Sequence, residues 1–208
     1  MPGKRDRRQA IVAAALEVIG ESGLAGFTQP RVAARAGMRQ SHLTYYFPTR
    51  DDLLVAVADE AVARRVDVLR AAHAAAGGPR EQVAALARVL TSPEQTRVLL
   101  ALTQAADRDD HVRASFGALA AGVGPLSAGL LESVGADADQ AALALLQATA
   151  TGIAVLALAR GTDAPVAEHL LHTLLDRLAA AGPRDRAGQE DSAAASRANP
   201  SSSGTRGA

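Results

Sequence analysis

The 208-residue chain contains no cysteine, and that absence excludes disulfides, thiolate zinc sites and cysteine nucleophiles together. Tryptophan is missing too, and aromatic residues are limited to three Phe and two Tyr. Lys4 is the single lysine among 22 cationic residues, which, with the abundance of alanine, reads as compositional bias rather than function. No stretch approaches the ~18 uninterrupted apolar residues of a membrane span. The opening MPGKRDRRQA also lacks a hydrophobic signal core, so the expectation is a cytoplasmic protein with no membrane association. No segment alternates convincingly between apolar and polar residues, and no internal repeat is visible. Cations and carboxylates balance at 22 each, so the global charge excludes no class of partner.

What is present is unevenly placed. Residues 1–50 hold Lys4, Arg5, Arg7, Arg8, Arg31, Arg35, Arg39 and Arg50 against Asp6, Glu17 and Glu21, a net charge of +5 that leaves the rest of the chain at −5. A basic head on an acidic body gives one face suited to polyanions. Four of the five aromatics (Phe27, Tyr45, Tyr46 and Phe47) fall in the same head. Hydrophobic residues make up 48% of the chain, enough for a substantial core.

The periodicity predicts an all-α protein. Ile11, Ala14, Ala15, Val18 and Ile19 recur at helical spacing from Arg5, and Gly20 and Gly23 are expected to close that helix. Thr28-Gln29-Pro30 opens a short helix with a capping hydroxyl, which ends at Gly37. Gln40 to Phe47 forms a third, stopped by Pro48. Thr49-Arg50-Asp51-Asp52 resembles a capping box and starts a long helix over 51–75. Gly77-Gly78-Pro79 breaks the chain, and helices follow over about 80–90 and from Ser92-Pro93 to about Ala106. The next helix, after Asp107–Asp110, is expected to kink or split at Gly122, Gly124 and Pro125. The last two begin after Asp137–Gln140 and at Pro165. Residues 183–208, rich in Ser, Ala, Gly and Arg without apolar periodicity, read as a disordered tail.

The two short helices around Gly37-Met38-Arg39 form a helix-turn-helix, which presents its second helix to the DNA major groove. On that helix Leu43 and Phe47 share one face, whereas Ser41, His42 and Tyr45 share the other. The second set mixes hydrogen-bonding tips with an aromatic body, a combination suited to base edges and thymine methyls. Thr28, Arg31, Tyr46 and Arg50 lie at helix starts or flanks, where phosphates are met. Tyr46 alternatively packs in the core, and Arg5, Arg7 and Arg8 are either a solvated tail or DNA contacts.

The segment FTQPRVAARAGMRQSHLTYYFPTRDDLL resembles the DNA-binding region of the TetR family of transcriptional regulators. The resemblance rests on Phe27-Thr28, Ala33, Ala36-Gly37, Leu43, Tyr46-Phe47-Pro48, Arg50 and Leu53, and covers about residues 5–60. It implies an N-terminal three-helix DNA-binding domain, residues 1–50, and a C-terminal helical ligand-binding and dimerisation domain, residues 51–182. It also implies a homodimeric, ligand-responsive repressor of a palindromic double-stranded operator. The alternatives are a DNA-binding regulator without a small-molecule ligand, acting as an activator or through a protein partner, and a helical-bundle enzyme. No nucleophile–base or metal constellation is present in the sequence, so neither catalysis nor a cofactor is expected. Base contacts would fall on Gln40, Ser41 and Tyr45, and phosphate contacts on Thr28, Gln29, His42, Thr44, Tyr46 and Arg50. Arg39 stands where a Ser or Thr cap is usual, so the recognition helix starts at Gln40 or Ser41 and Arg39 is placed to meet phosphate or guanine. Thr44 replaces a common tyrosine.

In the body, the last two helices are the expected dimer face, through Leu145, Thr149, Leu156, Leu170, Leu174 and Leu178. Thr103, Gln104, Gln147, Thr149 and Thr151, with Phe116, are the polar and aromatic residues embedded in apolar helix there. Of these, Thr103, Gln104, Phe116, Gln147 and Thr151 are the pocket candidates, for a small apolar or amphipathic inducer. His169, His172 and Asp176 share one helical face, but it lies opposite the leucines without a fourth ligand, so it reads as a polar stripe rather than a metal site. His111, between Asp110 and Arg113, reads as part of a helix start.

Overall fold

The computed structural model describes residues 4–181, and everything in it is helix or connecting turn. The expectation for residues 183–208 lies outside the described residues. In chain order the helices are α1 (Lys4–Gly26), α2 (Gln29–Arg35), α3 (Gln40–Tyr46), α4 (Arg50–Ala75), α5 (Pro79–Leu90), α6 (Pro93–Ala106), α7 (Asp110–Ser133), α8 (Gln140–Arg160) and α9 (Ala164–Ala180).

Most starts follow from caps visible in the sequence. Thr49 accepts a hydrogen bond from the Asp52 N–H while the Asp52 carboxylate accepts one from the Thr49 N–H, a reciprocal capping box at the head of α4. Asp109, Asp139 and Asp163 cap α7, α8 and α9 with their carboxylates. Thr28 occupies the N-cap position of α2, but its hydroxyl makes no capping bond, contrary to expectation.

Two other expectations are corrected. α1 does not stop at Gly20. It breaks at Gly23, whose φ of 64° is left-handed, and the chain stays helical to Gly26. α7 is not split by Gly122, Gly124 and Pro125 but runs from Asp110 to Ser133 as one helix. A proline removes one hydrogen bond and crowds one carbonyl. The buried Val112, Leu130 and Leu131 anchor α7 on both sides of that local defect. Gly122 serves a close approach instead, since a Cβ there would lie 2.7 Å from Val66 Cγ2 on α4.

The buried apolar residues form two clusters. The first joins α1, α2, α3 and the start of α4 to Ala101, Leu102 and Ala105 of α6 and Val112 of α7, and so extends past residue 50. The second joins α5, the end of α7, α8 and α9 around Val83, Leu131, Leu146, Leu171 and Leu175. Between them lies the space that becomes the candidate ligand site.

Candidate nucleic-acid interface and ligand cavity

α2 ends in a Schellman turn: Met38 N–H donates to Ala33 O at 2.9 Å and Gly37 N–H to Ala34 O at 3.1 Å. Gly37 has φ 65°, a left-handed conformation that glycine adopts without Cβ strain. The turn swings the chain into α3, which starts at Gln40 with Arg39 as an N-cap that supplies no side-chain bond. Leu43 and Phe47 are fully buried and pin α3 to the head. Burying a side chain of that size contributes about 1.5–3 kcal/mol. Gln40, Ser41, His42 and Tyr45 are consequently exposed, with Tyr45 at 69% the most exposed large hydrophobic side chain described.

The remaining candidates divide by what they touch. Gln29 Nε2 donates to Phe47 O at 3.0 Å, holding the end of α3 against the start of α2. Arg50 Nε donates to Phe27 O at 3.1 Å, and its guanidinium lies 5.1 Å from the Phe27 ring centroid, so it braces the α1–α2 connection. Arg31 donates to Ser22 Oγ at 3.0 Å, and Thr44 Oγ1 donates to Ser41 O at 3.1 Å within α3. Tyr46 is half-buried and meets Tyr45 edge-on at 5.2 Å. Thr28 and Arg39 are exposed, and Arg39 forms no ion pair among the described residues.

Three supports escaped the sequence reading. Lys4 Nζ stands 5.6 Å from the Tyr45 ring centroid and the Arg8 guanidinium 4.8 Å from that of Phe47, so α1 cations back the recognition helix. Arg35 of α2 pairs with Glu17 at 3.0 Å and Glu21 at 2.5 Å, both on α1. That arginine holds the Glu21 carboxyl below its ordinary range, and the two carboxylates raise the guanidinium above its own. The signal was the i, i+4 spacing of Glu17 and Glu21, which puts two carboxylates on one face.

Below the head, α4 to α8 and the later part of α1 line a partly open cavity of about 990 Å³. Phe116, Gln147 and Thr151 line it. Thr103 and Gln104 do not: they are exposed on the outer side of α6, whose cavity face is Val98, Leu99 and Leu102. The wall holds charge that the sequence reading did not single out. Arg65 of α4 donates through Nη1 to Gln95 Oε1 of α6 at 2.7 Å, and burial pushes its guanidinium below the usual arginine value. Gln82 Oε1 is buried without a hydrogen-bond donor. Arg65 was legible only as a cation in the stripe Ala61, Arg65, Leu69 and Ala72, which otherwise reads apolar along α4.

On the far side, Leu145 and Val155 of α8 and Val166 and Leu170 of α9 are exposed, at 50%, 36%, 50% and 40%. Thr149 and Leu156 lie on the same side of α8, half-buried, whereas Leu174 and Leu178 are packed partly against the second cluster. By length and composition α7 and α8 are apolar enough to cross a membrane, and only 22% of the most apolar stretch of α8 is buried within the chain. That uncovered side coincides with the four exposed residues. His169 is exposed, His172 lies 3.8 Å from Glu168, and His111 Nε2 is 3.2 Å from both oxygens of Asp59, linking α7 to α4.

The family model for bacterial regulatory proteins of the tetR family matches residues 11–57. The HTH-type transcriptional regulator BetI of Rhizobium meliloti (strain 1021) is 37% identical over 112 residues, 51% of this chain and 55% of that protein. The chain thus matches about half the length of this curated relative. The solved multidrug binding protein EbrR, complexed with proflavin, is 33% identical at a TM-score of 0.57, with 81% of this chain and 99% of that chain covered. A Saccharomonospora viridis protein solved in complex with choline has a TM-score of 0.71 at 19% identity, covering 83% of this chain and 97% of the other. A transcriptional regulator from Rhodococcus sp. Rha1 has a TM-score of 0.70 at 22% identity, covering 82% and 95%. At these last two identities the likeness is one of fold.

Proposed function

For a chain that belongs to the tetR family of bacterial regulatory proteins, we propose the role of a homodimeric, ligand-responsive repressor that reads a palindromic DNA operator. The observation that carries this reading is the division of α3: Leu43 and Phe47 buried, Ser41, His42 and Tyr45 presented outward. Gln40, Ser41 and Tyr45 are the base readers, with Arg39 beside them. Thr28, His42 and Tyr46 meet phosphate, while Gln29, Arg31, Thr44 and Arg50, already bonded within the head, set the position of the reading face and contact the backbone from there.

Dimerisation through α8 and α9 covers Leu145, Val155, Val166 and Leu170 and places two recognition helices on one side of the molecule. Their spacing must match half-sites roughly 34–36 Å apart. A small amphipathic molecule in the cavity alters that spacing through α4 and α6, which form its walls and also pack on α1. The complexes of the two neighbours with proflavin and choline support a ligand-binding role for this fold.

The test begins with selection of preferred duplexes from a random pool. The protein–operator complex is then challenged with a panel of apolar and amphipathic metabolites. Release by one chemical class and not the others supports the reading. Persistence of the complex through the panel contradicts ligand control, and the absence of any preferred duplex contradicts operator recognition.

A further inference from the structure

The cavity wall is not uniformly apolar, and its charges are not equally satisfied. Glu17 and Glu21, at the α1 end, are both paired with Arg35. Glu94 accepts a hydrogen bond from Ser92 Oγ at 3.1 Å and sits in the first turn of α6, where the helix dipole favours a carboxylate. Arg64 pairs with Glu60 at 2.7 Å and is exposed. Arg65 differs from all of these. Its one hydrogen-bond partner is the neutral amide oxygen of Gln95, and no carboxylate lies within ion-pair distance of it among the described residues.

A guanidinium has five N–H donors, and taking it out of water is costly unless an anion or several acceptors replace the solvent. Arg65 is half-buried, with most of its donors unmatched by protein. The apolar side chains that share the cavity with it include Leu69, Leu86, Leu99, Phe116, Leu119 and Leu143. Such a site is complementary to a molecule with one compact anionic end and a long apolar body. Gln82 Oε1 adds a second unmet group in the same wall, one that a hydroxyl or amide N–H further along the body would satisfy.

We propose that the cavity takes an amphipathic acid, its carboxylate paired with the Arg65 guanidinium beside Gln95 and its aliphatic body lying along the apolar wall. This rests on the reading of the cavity as the ligand site and goes beyond it by assigning the ligand's charge. Gln95 holds Arg65 from α6, so the anion docks where α4 and α6 meet.

The experiment titrates the full-length protein by calorimetry with three probes that share a ten-carbon body: decanoate, decanol and decyltrimethylammonium, each below its micellar concentration. Wild-type protein is expected to bind decanoate at least tenfold more tightly than decanol, and decyltrimethylammonium more weakly than either. Arg65→Gln is expected to bring decanoate down to the decanol level while leaving decanol affinity within twofold. Arg65→Lys, which keeps a point charge without the fork, should retain an intermediate preference and guards against a folding defect in the first variant. Decanol or the cationic probe binding as well as decanoate to wild type overturns the proposal. So does a decanoate preference that survives Arg65→Gln, or failure of all three to bind. Operator affinity measured on the same samples separates the outcomes: intact DNA binding with no acid preference overturns the ligand class alone, whereas lost DNA binding overturns the regulator reading.

Discussion

Arg97 Nη1 on α6 donates a hydrogen bond to the carbonyl oxygen of Gly20 on α1 at 2.9 Å, across 77 residues of sequence. In an unbroken helix that carbonyl would receive the N–H of residue 24, but the chain leaves helical geometry at Gly23. The arginine therefore brings a charged donor to a carbonyl just before the break, and in doing so ties a wall of the cavity to the head. Replacing Arg97 with Met should lower stability by about 1–2 kcal/mol, because a part-buried acceptor loses a charged donor. Thermal unfolding measures that loss. The same variant should need several-fold more ligand to release DNA while binding the ligand normally, since the link between the sites is weakened. Unchanged unfolding and release would show that the contact carries nothing.

Gly122 faces Val66 so closely that an added methyl would meet Val66 Cγ2 at 2.7 Å. Gly122→Ala should therefore lower the unfolding temperature, overpacking by about 1–3 kcal/mol outweighing a helix-propensity gain of at most ~1 kcal/mol. A higher Tm would mean that α4 and α7 can separate freely at this point.

The Asp52 carboxyl is held below its ordinary value by the hydroxyl and backbone N–H of Thr49. A depressed carboxylate contributes stability that is complete above the unfolded-state value and is lost as pH falls through the folded-state value. Asp52→Asn should accordingly be less stable than wild type at pH 7, and the gap should close as the pH falls below about 4, the ordinary aspartate range. Parallel thermal melts from pH 7 to pH 3 check this. A gap of constant size would remove the capping-box charge from the account.

Leu170 is 40% exposed in the single chain, on the same side as Val166, Leu145 and Val155. Leu170→Glu should convert a dimer into a monomer by sedimentation without a matching loss of monomer stability, because the side chain is not part of the internal core. Persistence of the dimer at micromolar concentration would move the interface elsewhere.

Much of this architecture could be read from local signals. Leu43 and Phe47 fall on one side of a seven-residue helix by spacing alone, and Thr49 with Asp52 announces the start of α4. Gly37 marks the turn because the Schellman geometry needs a left-handed residue there. The misses share a different cause. Pro125 and its neighbouring glycines look like a break locally, yet packing on both sides holds α7 in one piece. Thr103 and Gln104 interrupt an apolar run and so suggest a cavity wall, whereas the side of α6 that faces inward is set by its contacts with α1 and α8. Arg65 was missed for the same reason, its partner Gln95 lying 30 residues away on another helix.

The central claim is that the outward face of α3 reads sequence, and a gel-shift titration against salt tests it most directly. Wild type and Tyr45→Ala are compared on DNA from immediately upstream of the coding region and on a scrambled duplex, between 50 and 200 mM salt. The account predicts that wild type prefers one duplex and that Tyr45→Ala loses about 1–3 kcal/mol, roughly five- to 160-fold, on that duplex alone. Binding to the scrambled duplex should be equal for the two proteins and fall steeply with salt. Equal, salt-sensitive binding of both proteins to both duplexes, repeated on sequences drawn from an unbiased pool, would contradict it.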